Sequence, residues 1–281
     1  LIEGLQISGT LKSDLATRWG MPKKVVIAGG AGDNAASAIG MGAVKSGAAF
    51  VSLGTSGVLF AANDAYRPKP QSAVHAFCHA VPNTWHQMGV ILSATDSLNW
   101  LSSIAGQSSE QLSKQLGETL LPPGGVTFLP YLSGERTPHN DAKARGTLTG
   151  LEHASDVNAL TQAVMEGVAF ALRDNLDALA NAGTTLERVT AVGGGSRSKY
   201  WLKAIATALN LPVDIPADGD FGAAFGAARL GLIAAENVDY AEVCTPPVIK
   251  QTIMPEQALV DAYSQAHQRY KVTYQNQIQS S

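Results

Sequence analysis

The chain has 281 residues, of which 45% are hydrophobic and 15% charged, with a formal net charge of -3. That length and apolar content allow one large domain or two modest ones around a buried core, and the near-neutral charge argues against nucleic acid or an anionic membrane as partner. The two cysteines, Cys78 and Cys244, lie far apart, form no CxxC motif and read as buried thiols suited to a reducing, cytoplasmic setting.

The first ten residues, LIEGLQISGT, lack the basic start and long apolar run of a secretion signal and read as the middle of a longer protein. Helical spacing over 11–19 ends at Gly20-Met21-Pro22, and the compact run 25–28 has the look of a buried strand. A glycine loop and a small-residue helix over 34–41 follow. Residues 48–53 and 58–60 predict a β-hairpin, and 74–79 and 85–92 two more strands. The most apolar stretch, 47–62, is cut by Ser52, Gly54, Thr55, Ser56 and Gly57 and cannot span a membrane. Helices are expected over 97–105 and 109–116 and a strand over 126–129. The longest periodic element begins at Ser155 or Asp156 and runs through Leu160, Val164, Val168, Leu172, Leu176 and Leu179 to Asn181. Strand, helix, strand and helix then alternate over 189–192, 198–209, 213–215 and 222–235, an α/β pattern. A surface helix over 255–275 and a frayed tail from Asn276 complete the chain.

Four constellations carry possible chemistry. In Gly29-Gly30-Ala31-Gly32-Asp33-Asn34, between strand and helix, Gly30 and Gly32 let backbone approach a phosphate, and the helix N-terminus favours negative charge. The same residues satisfy a GxGxxA dinucleotide fingerprint, but no acid stands about 20 positions on to hold a ribose. The bland reading is a glycine turn with Asp33 as helix cap. Gly54, Thr55 and Ser56 form a hairpin tip whose amides and hydroxyls suit phosphate oxygens, or simply a turn. Gly193, Gly194 and Gly195 permit a flat base or a ribose to lie on the backbone, with Ser196 or Ser198 capping the next helix. Residues 220–228, beginning Asp220-Phe221-Gly222, are small enough for close approach to a nucleotide or a neighbouring helix.

The order of these four, with Phe128 to Asp141 (FLPYLSGERTPHND) and Val74 to Ala80 between them, resembles the second half of the FGGY carbohydrate kinases, in their xylulokinase branch. A longer signature from Gly146 to Glu166 fits, except that Ala159 stands at a usually polar position. Ser198 replaces a frequent asparagine and Thr207 a frequent aspartate. The resemblance implies an actin-like, ribonuclease-H-like α/β fold, with 1–22 ending a preceding domain, 23–240 the C-terminal ATP-binding domain and 241–281 a helical extension. It implies transfer of phosphate from ATP, with Mg2+, to D-xylulose. Asp33 would be the base, Gly30, Gly32, Gly54, Thr55, Ser56, Gly193, Gly194, Gly195 and Ser198 would form the ATP site, and no protein metal ligand is expected. It further implies an N-terminal domain of the same enzyme as partner, without which this chain is inactive, and leaves a homodimer open. A relative acting on ribulose, gluconate or glycerol, and a non-transferring actin-like nucleotide module, stand as alternatives.

His75 and His79 flank Cys78, but on a strand they lie roughly 13 Å apart and cannot share an ion. Arg136 and His139 sit in a proline-bounded loop, ready either for a phosphate or sugar or for a locking salt bridge with Glu135 or Asp141. Asp96 reads as a helix cap, and Trp100 and Trp201 read as core.

Overall fold

The computed structural model describes residues 1–22, 24–217 and 222–279. Lys23, Asp220 and Phe221 of the fourth constellation, and Ser280 and Ser281 of the tail lie outside the described residues. The elements run β1 (Ile7–Thr10), α1 (Ser13–Arg18), β2 (Val26–Ala28), α2 (Asp33–Gly40), β3 (Ala49–Leu53), β4 (Gly57–Asn63), β5 (His75–Cys78) and β6 (Trp85–Ile91). They continue as α3 (Thr95–Ala105), α4 (Ser109–Gln115), β7 (Thr127–Leu129), β8 (Thr147–Thr149), α5 (Val157–Asn181), β9 (Val189–Val192) and α6 (Lys199–Leu209). Then come β10 (Val213–Pro216), α7 (Ala223–Glu236), α8 (Tyr240–Val243), β11 (Ile249–Ile253) and α9 (Gln257–Gln279).

Seven strands form one sheet in the order β11-β10-β9-β3-β4-β6-β5. Its parallel centre, β3 beside β9 beside β10, is flanked by antiparallel strands. Because strand residues alternate between faces, Val51 and Leu59 enter a core with Val164 and Val168 of α5, while Phe50 and Phe60 point the other way, toward Ala38 of α2. The sheet is thus a filling between helices. Asp156 begins α5 by accepting a hydrogen bond from the Ala159 amide at 2.9 Å, as its position predicts.

Five expectations need correction. The 25–28 run is not a buried strand: β2 pairs only with β1, outside the main sheet, and leaves Ile27 exposed. Cys78 ends the edge strand β5 and is exposed, whereas Cys244 is buried. Asp96 lies in the first turn of α3 and not at its N-cap, Ala94, where no side chain caps the helix. The C-terminal helix is no surface appendage, since α9 buries Tyr263, Ala266, His267 and Tyr270. Nor does it fray at Asn276: it continues to Gln279, and Gln277 is bound to both the amide and the carbonyl of Arg145. Trp201 is core, its indole N–H bonded to Met165 O at 3.0 Å, and Trp100 stacks on Phe128. No helix among the described residues is long and apolar enough to cross a membrane.

Candidate active site

The parallel strands β3 and β9 end side by side, Ser52 in register with Val192. Beyond them the chain turns through Gly54, Thr55 and Ser56 into β4, and through Gly193, Gly194 and Gly195 toward α6. Helix α3 starts at the same edge: the Ala94 amide donates to Thr55 O at 2.8 Å, and the Thr95 amide and hydroxyl donate to Gly54 O at 3.0 and 2.8 Å. At Gly193 φ is +89°, and a Cβ would stand 2.8 Å from Leu53 O, so both backbone conformation and space demand glycine. Gly194 is different, because a Cβ there meets nothing within 4 Å. It faces open space.

Ser198 caps α6, accepting from the Trp201 amide at 3.2 Å, and its oxygen also accepts from the Ser113 hydroxyl of α4 at 2.8 Å. Between the loop from Gly194 to Ser198 and α3–α4 opens a cleft of about 620 Å³, lined by Thr95, Asn99, Ser113, Gly194, Ser198 and Lys199 among others. That volume suits a small-molecule site. A second cleft of about 610 Å³ lies at the opposite ends of β3, β9 and β10. Its main charges neutralise each other, Arg188 holding the buried Asp214 at 2.7 and 2.9 Å. Open α/β sheets bind ligands outside the carboxyl ends of their parallel strands, which favours the first cleft.

Asp33 is the first residue of α2 and is exposed. It is not the cap: that position is Gly32, and the Asp33 carboxylate accepts from the Asn34 amide at 2.8 Å and the Asn34 side chain at 3.1 Å. Helix α7 fixes α2, since a Cβ at Gly226 would stand 1.7 Å from Ala36 O. Arg229 of α7 donates to Ile39 O and Gly40 O, both at 2.9 Å, neutralising the partial negative charge of the α2 C-terminus. Met41 and Ala43, past that C-terminus, line the opposite cleft, so Asp33 points to the carboxyl edge. No hydrogen bond among the described residues joins Asp33 to the hairpin tip or to Gly193–Gly195. The dinucleotide reading of Gly30, Gly32 and Ala35 fails because β2 pairs antiparallel with β1 alone, not within a parallel βαβ unit.

Sequence reasoning missed the role of Glu135. It is 2% exposed, and its Oε1 accepts from the Leu92 amide at 3.0 Å and the Arg136 amide at 2.7 Å, while burial pushes its pKa up to about 8. Nothing in the charged string Glu135-Arg136 signals a buried acid. The expected locking salt bridge is absent from the described residues: Glu135 and Asp141 pair through their backbones, and His139 Nε2 meets the Tyr131 hydroxyl at 3.0 Å. His79 is buried, its Nε2 3.1 Å from Ala43 O, and is not grouped with His75 as ion ligands. Among the described residues the one cluster able to hold an ion is Asp174, Asp177 and His267. It lies between α5 and α9, with Asp174 bonded to His267 at 2.7 Å and Asp177 to Arg173 at 2.9 Å. The histidine nitrogen among these donors does not fit Mg2+, which takes oxygen ligands.

Residues 49–235, which carry the hairpin tip, Gly193–Gly195, Ser198 and α7, match the C-terminal domain model of the FGGY family of carbohydrate kinases. The chain belongs to that family. It is 42% identical over 280 residues to a xylulose kinase of Escherichia coli K12, covering 98% of this chain and 57% of the relative. A xylulose kinase of Bacillus subtilis is 32% identical, with 98% and 56% covered. The crystal structure of a xyloylose kinase from Brucella ovis superposes with a TM-score of 0.98 at 65% identity, over 100% of this chain and 58% of that one. The chain therefore spans little more than half the length of its FGGY relatives. Its α/β fold is the actin-like ATPase fold of these sugar kinases.

Proposed function

We propose that this chain is the nucleotide-binding, base-carrying part of a longer kinase that transfers the γ-phosphoryl group of MgATP to D-xylulose, giving D-xylulose 5-phosphate and ADP. One observation carries the reading: the hairpin tip and the Gly193–Gly195 loop follow the adjacent carboxyl ends of β3 and β9, where Gly194, Gly195 and Ser198 line an open cleft. Sugar identity is supported by relatives named xylulose kinases.

Phosphoryl transfer needs chiefly positioning and charge stabilisation. In this reading adenosine lies over the open Gly194, and the amides and hydroxyls of Thr55 and Ser56 hold phosphate oxygens. Asp33, whose second carboxylate oxygen makes no hydrogen bond among the described residues, orients the sugar hydroxyl and takes its proton as the new O–P bond forms. Magnesium enters with the ATP phosphates and supplies charge neutralisation there. The remaining, N-terminal part of the enzyme supplies most sugar contacts. ADP formation by the full-length enzyme tests this with a panel of D-xylulose, ribulose, gluconate and glycerol: D-xylulose is expected to give the highest kcat/KM. Another preferred acceptor would reassign the sugar, and no sugar-stimulated ADP formation would favour a non-transferring nucleotide module.

A further inference from the structure

The loop after β7 is fastened to the end of β6. The Thr137 amide donates to Val90 O at 3.0 Å, the Val90 amide to Thr137 Oγ1 at 3.1 Å, and the Leu92 amide to Glu135 Oε1 at 3.0 Å. Ile91, between those anchors, is the register partner of Gly57, which directly follows Ser56. Arg136 therefore emerges at the carboxyl edge, one strand away from the hairpin tip. Its side of the sheet is also defined. Val90 and Leu92 pack in the cluster beneath α2, as does Met88. Met88 is in register with His75, whose pKa is lowered first by burial and then by the Arg136 charge. The Arg136 charge therefore reaches His75, on the α2 face of the sheet.

The mount is rigid and its charge is available. Glu135 N donates to Asp141 O at 2.9 Å and Asp141 N to Glu135 O at 2.8 Å, closing the loop through backbone alone. The Glu135 carboxyl is turned inward onto two amides, and burial favours its neutral form, so it does not cancel its neighbour. Arg136 is exposed, and among the described residues it forms no ion pair and no side-chain hydrogen bond. A planar fork of donors on the same sheet edge as the hairpin tip suits a phosphoryl group's oxygens.

We propose that Arg136 is a further substrate-contacting residue, whose guanidinium holds the phosphoryl group as it passes to the acceptor oxygen from the Asp33 side of the sheet edge. The inference rests on the phosphoryl transfer proposed above. In that step the bond from the acceptor oxygen to the γ-phosphorus forms and the bond to the β–γ bridging oxygen breaks. ADP leaves with that electron pair, the acceptor proton goes to Asp33, and Arg136 balances charge on the equatorial oxygens without exchanging a proton. Glu135 is the positioning residue beneath it.

Full-length R136Q and R136K are compared with wild type by calorimetric titration of inorganic phosphate into the ADP-saturated enzyme. R136Q is expected to bind phosphate about tenfold more weakly, the loss of a charge-assisted contact, and R136K to recover part of it. With the wild type's preferred sugar, kcat of R136Q should fall by about 10²-fold at unchanged ATP affinity and melting temperature. Equal phosphate affinity of wild type and R136Q overturns the proposal, whatever the sugar. If R136Q weakens phosphate binding while wild type transfers to no sugar, the kinase reading fails and the anion site stands.

Discussion

At Asp33 two explanations of one residue make opposite demands. A cap spends its oxygen on a first-turn amide, whereas a base needs a carboxylate oxygen to spare; Gly32 holds the cap position, Asp33 Oδ1 accepts from the Asn34 amide, and its other oxygen makes no hydrogen bond among the described residues. Asp33→Asn in the full-length enzyme keeps size but cannot accept a proton at neutral pH. We expect kcat to fall roughly 10²- to 10⁴-fold with melting temperature unchanged and ATP affinity not weakened. A kcat within about threefold of wild type would remove Asp33 from the mechanism. Gly194 offers a complementary test, because open space around its Cβ lets a larger residue fold there and act only on a ligand. Gly194→Val should raise KM for ATP and leave sugar affinity and stability near wild type, read by steady-state kinetics and a thermal melt. Unaltered ATP kinetics would move the adenosine site elsewhere. Glycines announce themselves in a sequence because few other residues adopt φ near +89°, as at Gly193. Glu135 could not, since burial of a carboxylate is decided by amides contributed by Leu92, 43 residues upstream.

The elements that could be read in advance were those with internal signals. Helix α5 has its period and its Asp156 cap, and β3–β4 has alternation with a glycine tip. Strands β1, β8 and β11 are short and bury almost nothing fully, so no alternation marks them. Helix α9 hides its burial for another reason: its inward stripe is Tyr263, His267 and Tyr270, polar by composition yet buried at helical spacing against Phe170. The small residues of α7 were legible as tight packing or as ligand approach, and Gly226 settles into the former against α2. Gly226→Ala must push α7 away from Ala36 O, and overpacking of this kind costs roughly 1–3 kcal/mol. Because α2 carries Asp33, the melting temperature and kcat of the full-length enzyme should both fall, whereas Leu232→Ala on the exposed face of α7 should leave both unchanged. A Gly226→Ala protein as stable as wild type would mean that α7 does not hold α2.

Across the whole molecule, buried titratable groups on the two faces of the sheet oppose each other in their response to pH. On the α2 face burial pushes His79 and His86 down to about 4. The unfolded chain takes up those protons from about pH 6.5 downward and the folded one does not, so stability is lost as pH falls through that window. On the α5 side burial raises Glu135 to about 8 and Glu166 to about 7, the latter despite the Gln162 side chain donating to it at 2.7 Å. Here the folded chain keeps protons that the unfolded one releases above about pH 4.5, so stability is lost as pH rises. From about 4.5 to 6.5 the two pairs offset one another, and above 6.5 the carboxyls act alone. Each contributes about 1.4 kcal/mol per pH unit, so stability should decline by on the order of 2 kcal/mol from pH 6.5 to 8, mostly through Glu135. Thermal melts of the full-length enzyme across this range should show melting temperature falling with pH, and Glu135→Gln, which keeps acceptance from the Leu92 and Arg136 amides, should flatten the decline. A wild-type melting temperature that holds or rises from pH 6.5 to 8, or a Glu135→Gln protein with the full slope, would mean that Glu135 is ionised in the folded enzyme and that Arg136 has a neutralising partner.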